Sequence, residues 1–469
     1  MLAGDNENTS TMLKIGIISW ATGLLRGHGF YGQLVRGGLG SIVVKTGQAL
    51  LAFAVAVMWA RILGPVGYGV YSFAFAILLL TIIPAQVGVP QLVVRETAKA
   101  QADDNYGLIR GLWRWGNKTV GGFSILVLGA ASGVLLYLDI YGGGAQISTL
   151  AVGLALIPLI ALANVRSACL SGLRKVVQSQ LPEGIIRPVM LLLLVGCWIG
   201  WSGEDQLAPQ QAMGLIVAAS IISFLIGAWL LQRSLPQGLV MGPAPEYQKS
   251  VWRKAVIPLA LISGLQLINN YVDLLIVGLF QPDNEIGIYR AVTQLSMFVI
   301  FGFQALNQVF QPYYALHSKC EDRAALQRLV TFSSRLIALT ALPPLIIIFL
   351  FPQDIITLVF GAAYEGGWIV LVILSFGQAV NAFMGALGVL LNMMGYERVT
   401  MYWVAWAATV NIILTLIFVP LLGMEGAAIA STISLVFYNI VLFREVRLLL
   451  CVNTLPVSLS KKNMARGDH

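Results

Sequence analysis

Residues 60–80 read ARILGPVGYGVYSFAFAILLL, and a fainter copy, LFQPDNEIGIYRAVTQLSMF, returns at 279–298. In each, one apolar run ends, a turn bearing glycine, proline and tyrosine follows, and a second apolar run begins. Gly69 and Tyr71 correspond to Gly287 and Tyr289 at one common spacing, close to half the chain. A corner used twice at that distance marks an internal repeat.

The runs flanking these corners set the solvent. Hydrophobic residues make up 58% of the 469 and charged residues only 11%, with a mean hydropathy of +0.81. A soluble domain carries roughly 25% charged residues, so both a water-soluble globule and a disordered chain are excluded. A helix crosses the bilayer with about 20 apolar residues. Windows of that kind predict spans near 38–62, 69–94, 115–138, 147–170, 181–202 and 209–232, then 254–280, 286–314, 328–351, 367–393, 398–421 and 425–449.

Lysine and arginine are retained on the cytoplasmic side. The connections 139–146, 203–208, 281–285, 352–366 and 422–424 contain neither residue. The alternate connections hold Arg95, Lys99, Arg110, Arg114 and Lys118, then Arg174 and Lys175, Arg253 and Lys254, Lys319, Arg323 and Arg328. Twelve spans with both termini cytoplasmic satisfy this alternation. The predicted fold is an all-α polytopic membrane protein of two pseudo-symmetric six-helix lobes. The N-lobe occupies 35–233 and the C-lobe 254–450, joined by the Pro- and Gly-bearing linker 234–253. A cytoplasmic arm (1–34), whose apolar run IGIISWATGLL at 15–25 reads as an interfacial helix or loose arm, and a tail (451–469) flank them.

The net charge of +8 therefore belongs to the positive-inside pattern and does not point to nucleic acid. Cys169, Cys197, Cys320 and Cys451 lack metal-ligand spacing, and His28, His317 and His469 lie outside the spans. Neither a metal nor a cofactor is expected, and no P-loop is present for ATP hydrolysis.

Five motifs, in order, resemble the polysaccharide (O-antigen-type) flippases of the MOP exporter superfamily: ARILGPVGYGVY, GVPQLVVRETAKA (88–100), LSGLRKVVQSQLPEGIIRPVM (170–190), DLLIVGLFQPDNEIGIYRA (273–291) and NIILTLIFVPLLGMEGAAIASTIS (411–434). Each alone is mostly turn chemistry; their order and topology carry the resemblance over about residues 35–450. It implies a MATE-like fold and transfer of undecaprenyl-pyrophosphate-linked oligosaccharide from the inner to the outer leaflet of a bacterial cytoplasmic membrane. The glycosyltransferases and polymerase of the same pathway are the implied partners.

Polar residues within the hydrocarbon must face protein or water. At 100° per residue, Arg290, Gln294, Gln304, Gln308 and Gln311 share an arc of about 100° on the eighth span. Ser263, Gln266, Asn270 and Asp273 cluster likewise on the seventh, and Ser41, Lys45 and Gln48 on the first. Such stripes mean either interhelical hydrogen bonds or a water-filled cavity between the lobes. In a cavity, cations offset the desolvation of a pyrophosphate: Lys45 and Arg290 first, with Arg61, Arg187 and Arg335 as further candidates. Arg61 lies about 160° from Lys45 on an ideal helix, which also suits snorkelling or bracing of the outer corner. Asp273, with Asn411 and Thr415 at compatible depth, forms an oxygen cluster able to bind Na⁺ or carry a proton, or else a structural ion pair with a cation such as Arg290.

Three other functions compete. A multidrug exporter of the MATE branch shares the architecture but handles cations, against the sign of these charges. A peptidoglycan-precursor flippase usually carries two more C-terminal spans. A membrane glycan polymerase or ligase needs catalytic groups on sizeable loops, and Glu204, Asp205 and Asp354 form no persuasive acid pair.

Overall fold

The computed structural model describes residues 30–140, 144–203, 206–240, 243–317 and 323–456, with side chains from Val44 onward. The interfacial run at 15–25, Cys320, Glu204, Asp205 and the polar end of the tail fall outside the described residues. The described chain is α-helical, without strands.

Two long helices each conceal a hairpin. The helix Phe30–Gln86 breaks at Gly64 (φ 66°, ψ 176°) into α1 (30–63) and α2 (65–86). The helix Glu397–Leu450 breaks at Gly423 (φ 61°, ψ −139°). Both breaks need positive φ, which glycine adopts without a Cβ penalty. Trp59 meets Tyr71 across the first break, ring centroids 5.5 Å apart. Ser434 Oγ donates to the Ala407 carbonyl at 2.6 Å across the second. Each chain therefore reverses at its glycine.

Between them run α3 (Val89–Ala102), α4 (Tyr106–Ile140), α5 (Ala145–Gly153), α6 (Leu156–Gly172) and α7 (Val176–Leu181). A π-turn (Pro182–Ile186) leads into α8 (Arg187–Ser202), followed by α9 (Pro209–Arg233) and α10 (Gln237–Val240). The second half has α11 (Lys249–Phe280), α12 (Asp283–Ser296), a 3-10 turn (Met297–Ile300) and α13 (Phe301–His317). Then come α14 (Arg323–Leu350), α15 (Pro352–Val359), α16 (Trp368–Met384) and α17 (Leu387–Met393), and finally α18 (397–422) and α19 (424–450). Among the described residues, nine helices are long and apolar enough to cross a membrane, ten counting the bent α11 pair. Splitting the two hairpins makes this consistent with twelve crossings. Leu126, Leu136 and Ile257 stand exposed because their solvent is lipid.

The repeated corner has a structural meaning beyond symmetry: its two copies touch. A Cβ at Gly69 would meet the Asp283 carbonyl and lie 3.0 Å from the Gly287 nitrogen. A Cβ at Gly287 would meet the Pro65 carbonyl and lie 3.0 Å from the Gly69 nitrogen. The contact is reciprocal, as across a two-fold axis, and only two glycines allow it. Other bonds fasten the same seam. Arg61 donates from Nε to the Val359 carbonyl at 2.8 Å and from Nη2 to the Leu358 carbonyl. Tyr364 Oη donates to the Ala60 carbonyl at 2.7 Å, and Gln146 Nε2 to Asp283 Oδ1 at 2.7 Å.

The seventh span is not the straight helix that its polar stripe assumes. α11 bends by 44° between Leu265 and Leu267, so residues before and after Gln266 leave the common face. The linker is not loose either. Glu246 N bonds the Gly107 carbonyl at 2.9 Å, and Arg110 Nη1 bonds the Pro243 carbonyl at 3.0 Å.

Candidate functional site

Three chambers follow one another between α1 and α12–α13. The widest is a basin of about 570 Å³ lined by Lys45, Thr46 and Gln48 from α1 and by Gln304, Asn307, Gln308 and Gln311 from α13. It gives way to a narrow, mainly apolar passage of about 120 Å³ bounded by Phe53, Phe298 and Phe301, with Gln294 and Gln304 at its edges. Phe53 and Phe298 meet edge to face, centroids 4.3 Å apart. The outer chamber, about 170 Å³, holds Arg187, Arg290, Gln294, Tyr68, Tyr71 and Tyr271. Gln304 is shared by the first two chambers and Gln294 by the last two, while Ala52 lines all three. The three chambers thus form a track, polar at both ends and apolar at its waist, from the lysine- and arginine-rich side to just beneath the touching corners.

Local structure explains the aim of each cation. Lys45 lies on the α1 face that looks across to the α13 glutamines, and is exposed to the basin. Arg290 stacks over the Tyr271 ring at 5.6 Å, within cation–π range, and faces the Tyr68 hydroxyl. Arg187 follows the π-turn, a backbone irregularity common at functional positions. Its Nη1 lies 3.5 Å from Glu183 Oε2. The opposite Glu183 oxygen takes Arg166 Nη2 at 3.0 Å, and the buried Arg166 also donates to the Phe224 carbonyl at 2.7 Å. Glu183 therefore fixes two arginines. Gln48 closes against the same turn, donating from Nε2 to the Gln180 carbonyl at 3.1 Å.

A second polar cluster sits in the C-lobe. Asp273 Oδ1 accepts from Asn411 Nδ2 at 2.7 Å and Thr415 Oγ1 at 3.3 Å. Its Oδ2 accepts from Ser431 Oγ at 2.6 Å. Among the described residues no lysine or arginine pairs with Asp273, so the structural ion pair with Arg290 is not formed. Neighbouring Tyr289 reaches Ser431 and precedes Arg290 on α12, which connects this cluster to the track. Three or more His, Cys, Asp or Glu in metal-binding proximity do not occur among the described residues; the cluster is one carboxylate accepting from one amide and two hydroxyl donors.

Of the residues singled out in sequence, Lys45, Gln48, Arg187, Arg290, Gln294, Gln304, Gln308 and Gln311 line the track. Two cations have other engagements. Arg61 braces the outer seam against the carbonyls ending α15, because α1 turns it away from Lys45. Arg335 is exposed and donates from Nε to the Pro456 carbonyl at 2.9 Å, holding the start of the tail. Asn270 is exposed and not among the residues lining the three chambers; the Gln266 side chain lies outside the described residues. Asn307, Ser431 and Glu183 were not anticipated. Asn307 is buried with Oδ1 unpartnered, at the wall of the basin.

The same two-lobed helical fold occurs in solved membrane proteins. The structure superposes on an inward-facing multidrug resistance MATE family transporter of the MOP superfamily with TM-score 0.70, at 14% identity, covering 86% of this chain and 94% of the other. It matches the lipid II flippase MurJ in an inward closed conformation with TM-score 0.66, at 15% identity, covering 87% of each. Residues 34–315 match the family described as polysaccharide biosynthesis protein, and the chain belongs to that family. A probable low-salt glycan biosynthesis flippase of Haloferax volcanii, Agl15, is 24% identical over 169 residues. The chain spans about a third of the length of that curated relative, 35% of each sequence.

Proposed function

We propose that the protein carries a lipid-linked oligosaccharide bearing a pyrophosphate across the membrane by alternating access. The carrying observation is the track itself: Lys45 in the basin and Arg187 and Arg290 in the outer chamber, at the two ends of one series of chambers joined by an apolar waist. An anion without compensating charge is prohibitively costly in hydrocarbon. Fixed cations supply that compensation through charge-assisted hydrogen bonds, while the amides of Gln304, Gln308 and Asn307 suit sugar hydroxyls. The polyprenyl chain would remain in lipid. The same charges oppose an organic cation, which argues against a drug-export role. The chain performs no covalent chemistry in this scheme.

With the outer corners in contact and the wide basin on the basic side, the arrangement suits loading from the cytoplasmic leaflet of a bacterial inner membrane, both termini cytoplasmic. Opening outward requires the Gly69–Gly287 contact and the Arg61, Tyr364 and Gln146 bonds to part. The Asp273 cluster would couple this to a gradient: a buried carboxylate met only by neutral donors calls for a counter-charge, supplied by H⁺ or Na⁺. Its occupancy would act on Arg290 through Ser431 and Tyr289.

The test is translocation of a defined pyrophosphate-linked oligosaccharide in reconstituted vesicles. Transport by the wild type is expected, strongly reduced in Lys45→Ala at equal protein content. Failure of the wild type to move it, while moving a cationic drug, would overturn the reading.

A further inference from the structure

A second groove, of about 530 Å³, shares no lining residue with the transport track and lies between α4 of the N-lobe and α11 of the C-lobe. Both helices start on the basic side of the molecule. The groove carries two cations, Arg253 in the first turns of α11 and Lys118 about 18 Å along α4 by the helical rise. Both are exposed, and neither pairs with a carboxylate among the described residues. Trp115 stands beside them, tilted against buried Trp252 with centroids 5.3 Å apart; an indole at this level suits the membrane interface.

Below the cations the lining becomes apolar. Phe123 and Leu126 continue along α4, the latter about 12 Å deeper than Lys118 by the helical rise, and Ile257 lies about 6 Å beyond Arg253. Leu126 and Ile257 are 65% and 64% exposed. A single lysine near a helix end is accounted for by snorkelling. Two cations from different lobes converging over one apolar slot are not, because that slot has the shape and polarity of a lipid: acidic head above, acyl chain below. Basic pockets of this kind between transmembrane helices on the cytoplasmic side suit acidic headgroups.

We propose that this groove binds an anionic phospholipid, its phosphate held by Lys118 and Arg253 and an acyl chain lying along Phe123, Leu126 and Ile257. The site is built at a joint. Val87, also in its lining, precedes Gly88, whose backbone (φ 72°) sits so close to Val256 and Ala260 of α11 that a Cβ would clash. A lipid seated here touches both lobes where the α2–α3 corner meets α11, and its affinity depends on how the lobes are set.

The full-length protein in phosphatidylcholine liposomes, doped with a photoactivatable phosphatidylglycerol, tests this. Cross-links are expected to concentrate on the peptides carrying residues 115–126 and 253–257. The Lys118→Gln/Arg253→Gln variant should lose them by about tenfold or more, the effect of removing two charge-assisted contacts, whereas Lys118→Arg keeps them. Equal labelling by photoactivatable phosphatidylcholine, or labelling unchanged in the double variant, would overturn the proposal. So would displacement of the label by a short-chain polyprenyl pyrophosphate at concentrations at which added dioleoyl phosphatidylglycerol leaves it in place, since the groove would then be an entry for the transported lipid.

Discussion

Lys45, Arg187 and Arg290 share one passage but differ in what already holds them. Arg187 is anchored by Glu183 and Arg290 lies on an aromatic ring, whereas Lys45 forms no ion pair among the described residues and is exposed to the basin. Each charge-assisted contact is worth about 1.5–3 kcal/mol, about ten- to a hundredfold in affinity. Lys45→Ala is therefore expected to weaken binding of a pyrophosphate-linked lipid by at least tenfold without lowering membrane abundance, as measured by ligand titration on purified protein. Glu183→Gln leaves Arg166 buried without its counter-ion and should lower thermal stability, while Lys45→Ala should not; parallel melting curves separate the two. Asp273→Asn keeps the hydrogen-bonding shape but removes the charge. In the coupling role it abolishes dependence of transport on an imposed ion gradient, and a variant with normal gradient-driven transport would refute that role. At this scale the sequence was legible where depth and periodicity sufficed: Asp273, Asn411 and Thr415 meet as their positions along two spans suggested. Ser431 was hidden because it comes from a third span, α19, whose facing toward Asp273 no periodicity along one helix fixes. The helical wheel already turned Arg61 away from Lys45 and toward the bracing role it has, whereas the partner of Arg335, the Pro456 carbonyl 121 residues away, leaves no local signal.

Elements depart from ideal helices where they serve the passage. The 3-10 turn at Met297–Ile300 interrupts the eighth span between Gln294 and Gln304. The π-turn before Arg187 and the 44° bend in α11 are further breaks. None announces itself in composition, and uniform 100° steps cannot foresee them. The Gly64 and Gly423 reversals were legible, since glycine beside proline or between charge-free segments ends a span. At the outer seam, Gly69→Val introduces atoms into the Asp283 carbonyl. Overpacking of this kind costs about 1–3 kcal/mol, enough to shift a two-state equilibrium by about 5- to 150-fold. The expected outcome is an outer face more reactive toward an impermeant thiol reagent at Gln146→Cys, in a background lacking the native cysteines. Unchanged reactivity would show that this contact does not close the face.

For the whole molecule, a repeat visible in sequence predicts two similar lobes, and the structure adds that the repeated corners are each other's partner. No reading of one sequence separates a repeat that is merely duplicated from one whose copies touch, because the contact depends on how the lobes face. That facing also explains the gradient along the track, wide and amide-lined at the basic side, narrow and cationic beneath the joined corners. The most direct measurement of the central claim is equilibrium binding to the purified protein of an oligosaccharide linked to a lipid through pyrophosphate, beside the same oligosaccharide on the same lipid without phosphate. The account predicts a preference of about a hundredfold or more for the pyrophosphate form, erased in Lys45→Ala/Arg290→Ala. Equal affinity for both lipids, or a preference that survives the double substitution, would contradict it.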